Sequence, residues 1–343
     1  MGQKKQSKRW FVRFLGASMA LALLLALVVV GWLYRPLSLQ AATLSVSIEP
    51  GMTVRQIAQQ LVIQGVQTQP EWLTLWFRLS GQSRQLKAGN YELQTGVTPI
   101  EVLRKLAQGD ETLKRLTLVE GWTFRQVRQA LAKAEDLKSL SSSWSDEALM
   151  AQLGRAGVPA EGRFFPDTYA YSKGSTDVAL LARALKAMDR KMAQAWALRR
   201  PDSPLANPAQ MLTLASIIEK ETGHASDRAL VSSVFHNRLK LGMPLQTDPT
   251  VIYGLFDRYQ GRLRKVDLQT DHPWNTYTRR GLPPTPIAMP GWEALQAAMQ
   301  PSNSSALYFV ARPDGTSAFS NSLRDHNLAV DEHIRRKPRN RSQ

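Results

Sequence analysis

The chain contains no cysteine in 343 residues. A disulfide and a lipid-modified cysteine are both excluded, a composition compatible with an extracytoplasmic bacterial protein. Histidine is scarce too: His224, His236, His272, His326 and His333 show no H-E-x-x-H or other ligand spacing, so no metal and no cofactor is expected. Acidic residues are outnumbered 28 to 44 by Lys and Arg, a formal charge of +16, but the excess is local. Six positives (Lys4, Lys5, Lys8, Arg9, Arg13, Arg35) flank one apolar run, and five (Arg335, Arg336, Lys337, Arg339, Arg341) close the chain. Setting these eleven aside leaves +5 for the rest. No RNP-like aromatic motif or zinc-finger spacing accompanies the charge. It reads as a topology signal and a solvated tail, and nucleic acid is not an expected partner.

Long apolar runs are absent but for one, Phe14 to Tyr34, which carries no charge. As a helix it would span about 31 Å, the thickness of a bilayer core. The positives before it put the amino terminus in the cytoplasm and the remainder across the membrane. A cleaved signal peptide fits less well, because only a weak Leu39-Gln40-Ala41 follows. The expected order is therefore a basic segment (1–13), a transmembrane helix (14–34), and exported domains.

Beyond it a Gly-x-Thr triplet recurs before helical spacing: Gly51-Met52-Thr53 with Ile57 and Leu61, Gly96-Val97-Thr98 with Val102 and Leu106, Gly121-Trp122-Thr123 with Val127 and Leu131. Gly turns the chain and Thr can cap the helix. Strand Leu44–Glu49, helices Thr53–Gln64 and Pro70–Leu79, and strand Lys87–Leu93 follow in β-α-α-β order. That order resembles a LysM module, a small fold that binds amino-sugar polymers, placed with a connecting helix in 42–113. The stretch 114–330 reads as a mixed α+β domain, and 331–343 as a basic, disordered tail. The fold class is α+β. Helices are expected at Ser145–Gly154, Thr176–Trp196, Asp227–Leu241 and Trp292–Met299. Glu161–Tyr171 and Leu245–Gly254 read as irregular, and LYFVAR (Leu307–Arg312) turns at Pro313-Asp314-Gly315.

The chemistry centres on LASIIEKETG (Leu214–Gly223). Its helix starts at Asn207-Pro208-Ala209-Gln210, an N-cap with Pro at the first helical position. On a helical wheel with Met211 at 0°, Met211, Leu214, Ala215 and Ile218 share a face; Glu219 falls near 80° and Glu221 near 280°, with Lys220 pointing away. Both carboxylates border the apolar face, where partial desolvation raises a carboxyl pKa toward proton-donor range. Solvated glutamates paired with Lys220 or Arg228 would give the same pattern. Two residues apart, the side chains diverge, so they cannot flank one glycosidic bond as paired carboxylates do.

ASIIEKET (Ala215–Thr222), VFHNRLKLGMPLQTDPTVIYG (Val234–Gly254), NTYTRRGLPPTPIAMPG (Asn275–Gly291) and EGRFFPDTY (Glu161–Tyr169) together resemble the membrane-bound endolytic murein transglycosylase family (MltG/YceG-like). The resemblance runs from the anchor to His326. It implies lytic cleavage of the MurNAc–GlcNAc bond in nascent peptidoglycan strands, with one glutamate as general acid and then base while the sugar's own C6 hydroxyl attacks, leaving a 1,6-anhydro end. It assigns that role to the first glutamate of E-K-E-T, Glu219. Gln246, Thr247, Asp248, Asn275, Thr276, Tyr277 and Glu221 are the expected substrate-binding residues, and Trp274 is a candidate stacking ring. His326 is expected to border the cleft. The family often has a His where Ser317 stands. The implied setting is the bacterial inner membrane, single-pass and with the catalytic domain periplasmic, with peptidoglycan glycan strands as substrate and peptidoglycan synthases as candidate partners. Two alternatives stay open: a hydrolytic muramidase using Glu219 with Asp248 or Asp167, and a non-catalytic murein-binding scaffold.

Overall fold

The computed structural model describes residues 3–110, 113–221 and 224–335, with side chains from residue 18 onward except Ala22. The chain divides into two compact units, Met1–Lys114 and Arg115–Gln343.

The first unit opens with helix α1 (Gln3–Tyr34). Among the described residues no helix is long and apolar enough to cross a membrane. The run expected to span begins at Phe14, and the side chains of residues 14–17 lie outside those described, as do the side chains of the basic segment and residues 336–343 of the tail. Strands β1 (Ser38–Leu39) and β2 (Thr43–Ile48), helix α2 (Val54–Ile63), strand β3 (Val66–Gln67), helix α3 (Pro70–Leu79), strand β4 (Gly89–Gln94) and helix α4 (Pro99–Gln108) follow. β2 and β4 pair antiparallel from Thr43↔Gln94 to Ile48↔Gly89, with α2, β3 and α3 between them in the chain, and the short β3 pairs with β1. Alternation along β2 and β4 sends Val46, Ile48, Tyr91 and Leu93 inward, where they meet Ile57, Leu61, Leu73 and Phe77.

Strand β5 (Lys114–Thr117) begins on the last residue of the first unit and runs into the second, which contains α5 (Phe124–Lys133), α6 (Asp146–Gln152), β6 (Thr168–Tyr171), α7 (Asp177–Ala197), α8 (Pro208–Glu221), α9 (Arg228–Lys240), α10 (Asp248–Leu255), α11 (Lys265–Gln269), α12 (Trp292–Met299), β7 (Tyr308–Ala311), β8 (Ser317–Ser320) and α13 (Leu323–Val330). β5 pairs with β6, and β7 forms an antiparallel hairpin with β8. Asp331–Arg335 continues as a helical turn.

The three Gly-x-Thr triplets share one local chemistry. Gly51, Gly96 and Gly121 hold φ of 85°, 96° and 75°. Thr53, Thr98 and Thr123 cap α2, α4 and α5 in reciprocal capping boxes with Gln56, Glu101 and Gln126. Two stretches expected to be irregular are ordered instead. Thr168–Tyr171 pairs as β6. Residues 248–255 form α10, because Asp248-Pro249 is itself a helix-start signal and Gly254 lies under the His272 ring, where no Cβ would fit.

α8 is the axis of this unit. Met211 through Ile218 are all buried, against α7, α9, α10 and α12. The expectation of one apolar face is thereby corrected: the helix is covered all round, and its small polar residues are satisfied internally. Ser216 Oγ donates to Thr213 O at 2.7 Å and accepts from Ile287 N at 3.0 Å.

Candidate active site

A helix buried on every side can offer chemistry only at its ends. α8 comes to the surface at its carboxyl end, where Glu219 and Glu221 are half-buried and Lys220 is exposed. Thr222 and Gly223 lie outside the described residues. The two carboxylates face different neighbours, as their spacing requires.

Glu219 Oε2 accepts the Gly291 N–H at 3.0 Å. Glu120 packs so closely over Gly291 that a Cβ there would collide with its carboxylate. Glu293, paired with Arg228, stands nearby, and Lys220 Nζ donates to Gly121 O at 3.3 Å. Burial raises the Glu219 pKa; the Gly291 N–H opposes this, and the negative charge of Glu120 adds to it.

Glu221 faces the start of α10. Its carboxylate accepts from the Thr247 hydroxyl. Burial raises its pKa, Thr247 opposes, and Asp248 raises it further. Beside it lies a cavity of about 370 Å³ whose walls include Glu221, Gln246, Asp248 and Tyr277, with Arg238, Tyr308 and His326 opposite. Tyr277 Oη donates to Asp248 Oδ1 at 2.6 Å. Gln246 reaches the cavity by holding φ at +50°, a left-handed conformation rare for a residue with a Cβ, secured by its N–H to Thr276 O at 3.1 Å.

The residues behind this wall hold it in place. The Thr247 N–H donates to Thr276 Oγ1 at 3.1 Å, which also bonds Thr250 Oγ1 at 2.9 Å. Asn275 is wholly buried: its amide donates to Thr270 O at 2.7 Å and Leu268 O at 3.1 Å, and its Oδ1 accepts Tyr277 N at 2.9 Å. Of the expected substrate residues, then, Glu221, Gln246, Asp248 and Tyr277 share the cavity. Thr247 stands one bond behind Glu221, while Asn275 and Thr276 brace the wall from beneath. Glu219 opens on the other flank and is not among the lining residues. Trp274 donates to Thr285 Oγ1 at 2.9 Å and packs edge-on against Tyr253, in an aromatic group of its own. Asp167 sits before β6, its carboxylate on the Thr168 N–H at 2.7 Å, outside the cavity lining.

Arg238 and Tyr308 are additions that the sequence reading missed. Arg238 is buried; its guanidinium donates to Leu307 O at 2.7 Å and Leu245 O at 2.8 Å and lies 5.1 Å from the Tyr308 ring centre. An arginine on the helical repeat of Val231, Val234 and Phe235 was the available signal. Away from the cavity, Glu161 is buried under the Phe124 N–H and the Tyr253 hydroxyl, and burial pushes its pKa up to about 7.

Two carboxylates, Glu221 and Asp248, thus line one cavity together with two tyrosines and a buried arginine, and Glu221 is the one held by a hydroxyl. A model of the YceG-like family matches residues 46–332, and the chain belongs to that family. It is 30% identical over 309 residues to an endolytic murein transglycosylase of Bacillus subtilis (strain 168), covering 85% of each chain. It is 28% identical over 331 residues to an endolytic murein transglycosylase of Streptococcus pneumoniae serotype 2 (strain D39), covering 85% of this chain but only 59% of that longer one. Among solved structures, the 2.6 Å crystal structure of a yceG-like protein from Listeria monocytogenes matches with a TM-score of 0.53 at 28% identity, over 85% of this chain and all of the other.

Proposed function

We propose that the chain is an endolytic lytic transglycosylase of peptidoglycan, cutting the MurNAc–GlcNAc bond within glycan strands, and that Glu221 rather than Glu219 is its acid/base. The observation that carries this reading is that Glu221 is the α8 glutamate lining the cavity formed with Gln246, Asp248 and Tyr277. Relatives bearing the name endolytic murein transglycosylase support the substrate class.

In the first step the Glu221 carboxyl, whose protonated form burial favours, donates its proton to the glycosidic oxygen and the bond to C1 breaks. In the second, the Glu221 carboxylate, now stabilised by the Thr247 hydroxyl, takes the proton of the C6 hydroxyl as O6 bonds to C1. The product is a 1,6-anhydro end, and no water enters. Proximity of O6 and C1 within one sugar supplies the effective concentration a second carboxylate would otherwise provide. Asp248 favours one alternative, since it shares the cavity and could activate water in a hydrolytic muramidase. Its Oδ1 is already taken by Tyr277, which argues for a positioning role.

The apolar run 14–34 would anchor the enzyme in the inner membrane with residues 1–13 cytoplasmic. The β-α-α-β unit would act as a LysM-like glycan-binding module, and the second unit would meet nascent strands in the periplasm beside the synthases. Terminating those strands would then set glycan length. Digestion of purified glycan strands, with product ends read by mass spectrometry, tests the reaction. Anhydro-muramyl ends are expected; reducing ends would establish the muramidase, and an absence of products would leave only a binding scaffold.

A further inference from the structure

His326 takes no part in the proposed proton transfers, yet it lines the same cavity from α13. Its ring stacks on Tyr308 with centres 5.3 Å apart and planes 23° apart. Its Nδ1 is buried and, among the described residues, has no hydrogen-bond partner. We propose that His326 is a substrate-binding residue that presents Nε2–H as a fixed donor to an acceptor oxygen of the bound glycan. This rests on the glycan-cleaving reading of the cavity.

The physical basis is the unequal setting of the two ring nitrogens. An imidazolium would need an N–H at both, and the buried Nδ1 has no acceptor among the described residues to receive one. Burial, reinforced by the Arg238 charge, holds His326 below the ordinary imidazole range despite the carboxylates of Glu221 and Asp248 across the cavity; Tyr277 and Tyr308 complete the titratable surroundings. The neutral ring has one proton to place. On Nδ1 it would be an orphaned buried donor, among the rarest unsatisfied groups in proteins. On Nε2 it is the usual tautomer of a free side chain and lies on the nitrogen that is not enclosed. The cavity thus has a proton-transferring wall at Glu221 and a donor wall at His326. A glycan acceptor, an acetamido carbonyl or a lactyl-ether substituent, would be held between them.

The test uses the full-length protein with ¹⁵N-labelled histidine. Its imidazole ¹⁵N spectrum at neutral pH should show His326 as a neutral ring protonated on Nε2; a cationic ring, or one protonated on Nδ1, overturns the proposal. His326→Phe, which keeps the stack, should lower kcat/KM about 10-fold, mainly through KM, with an unchanged melting temperature, while His326→Gln, with its amide N–H, should recover most of it. A Phe variant as active as the wild type, or a Gln variant no better than Phe, also overturns it. If the Phe variant loses affinity for GlcNAc-only oligomers by the same factor as for murein strands, the acceptor is the acetamido carbonyl; a loss of affinity confined to murein assigns the lactyl substituent. Loss of all cleavage in the wild type would instead defeat the transglycosylase reading and leave the tautomer result standing.

Discussion

Glu219 and Glu221 leave the same buried helix two residues apart and enter different surroundings. On the Glu219 flank Glu120 lies over Gly291, the Glu293–Arg228 pair is close, and the carboxylate is held by a backbone N–H. The Glu221 flank opens on a cavity and offers a hydroxyl, a tyrosine, a buried arginine and room for a ligand. Burial raises both pKa values. A raised carboxyl pKa by itself therefore does not identify an acid catalyst; what separates the two is whether a substrate can reach the proton. Glu219 accepts the Gly291 N–H, a bond that ties the end of α8 to the 289–291 segment.

The sharpest break in this comparison comes from removing the Glu221 carboxyl. Glu221→Gln is expected to lower kcat about 10³-fold, the range of a lost general acid, without unfolding the protein. The same change should raise thermal stability at pH 8 more than at pH 4. The sign follows from linkage: a carboxyl whose folded pKa is raised contributes stability below its unfolded pKa and loses it as pH rises through the folded one. A melting series across that range checks it.

Next in size are changes to the support shared by both flanks. Ile217 is fully buried in α8, and Ile217→Ala should cost about 2–5 kcal/mol in denaturant unfolding, lowering activity only through the folded fraction. Glu161 stands outside both flanks. Its pKa rises from 4.5 to about 7, so the wild type should lose stability between those values, by about 3 kcal/mol at most, and Glu161→Gln should flatten the loss. Smaller effects sharpen the contrast. Tyr277→Phe, which frees Asp248, should lower kcat/KM about 10-fold with anhydro ends still formed. Asp248→Asn should do much the same; if it abolished cleavage of strands that otherwise gave reducing ends, Asp248 would be a hydrolytic base.

Much of the scaffold was legible because it rests on local chemistry. Each Gly-x-Thr triplet carries its own turn and cap, and Asn207-Pro208 marks the start of α8, where Asn207 Oδ1 accepts Gln210 N at 3.0 Å. The divergence of the two glutamates was legible for the same reason, being fixed by helix geometry. The choice between them was not. A wheel assumes one wet face, whereas α8 is covered all round by α7, α9, α10 and α12, and nothing local says which flank those helices leave open. Tyr308 and His326 come from more than eighty residues downstream of α8, and Arg238 gives its hydrogen bonds to backbone that only the folded chain brings near. Asn275 and Thr276 were recognisable as important, but their burial assigns them to the wall's support, not to its surface.

The most direct test sets Glu221→Gln beside Glu219→Gln on the same purified glycan strands and counts anhydro-muramyl ends by mass spectrometry. The arrangement of the two flanks predicts that Glu221→Gln forms essentially none while Glu219→Gln stays within about 3-fold of the wild type. A Glu219→Gln protein that forms none, beside a Glu221→Gln protein that still cuts, would contradict it and return the acid/base to the first glutamate of the motif.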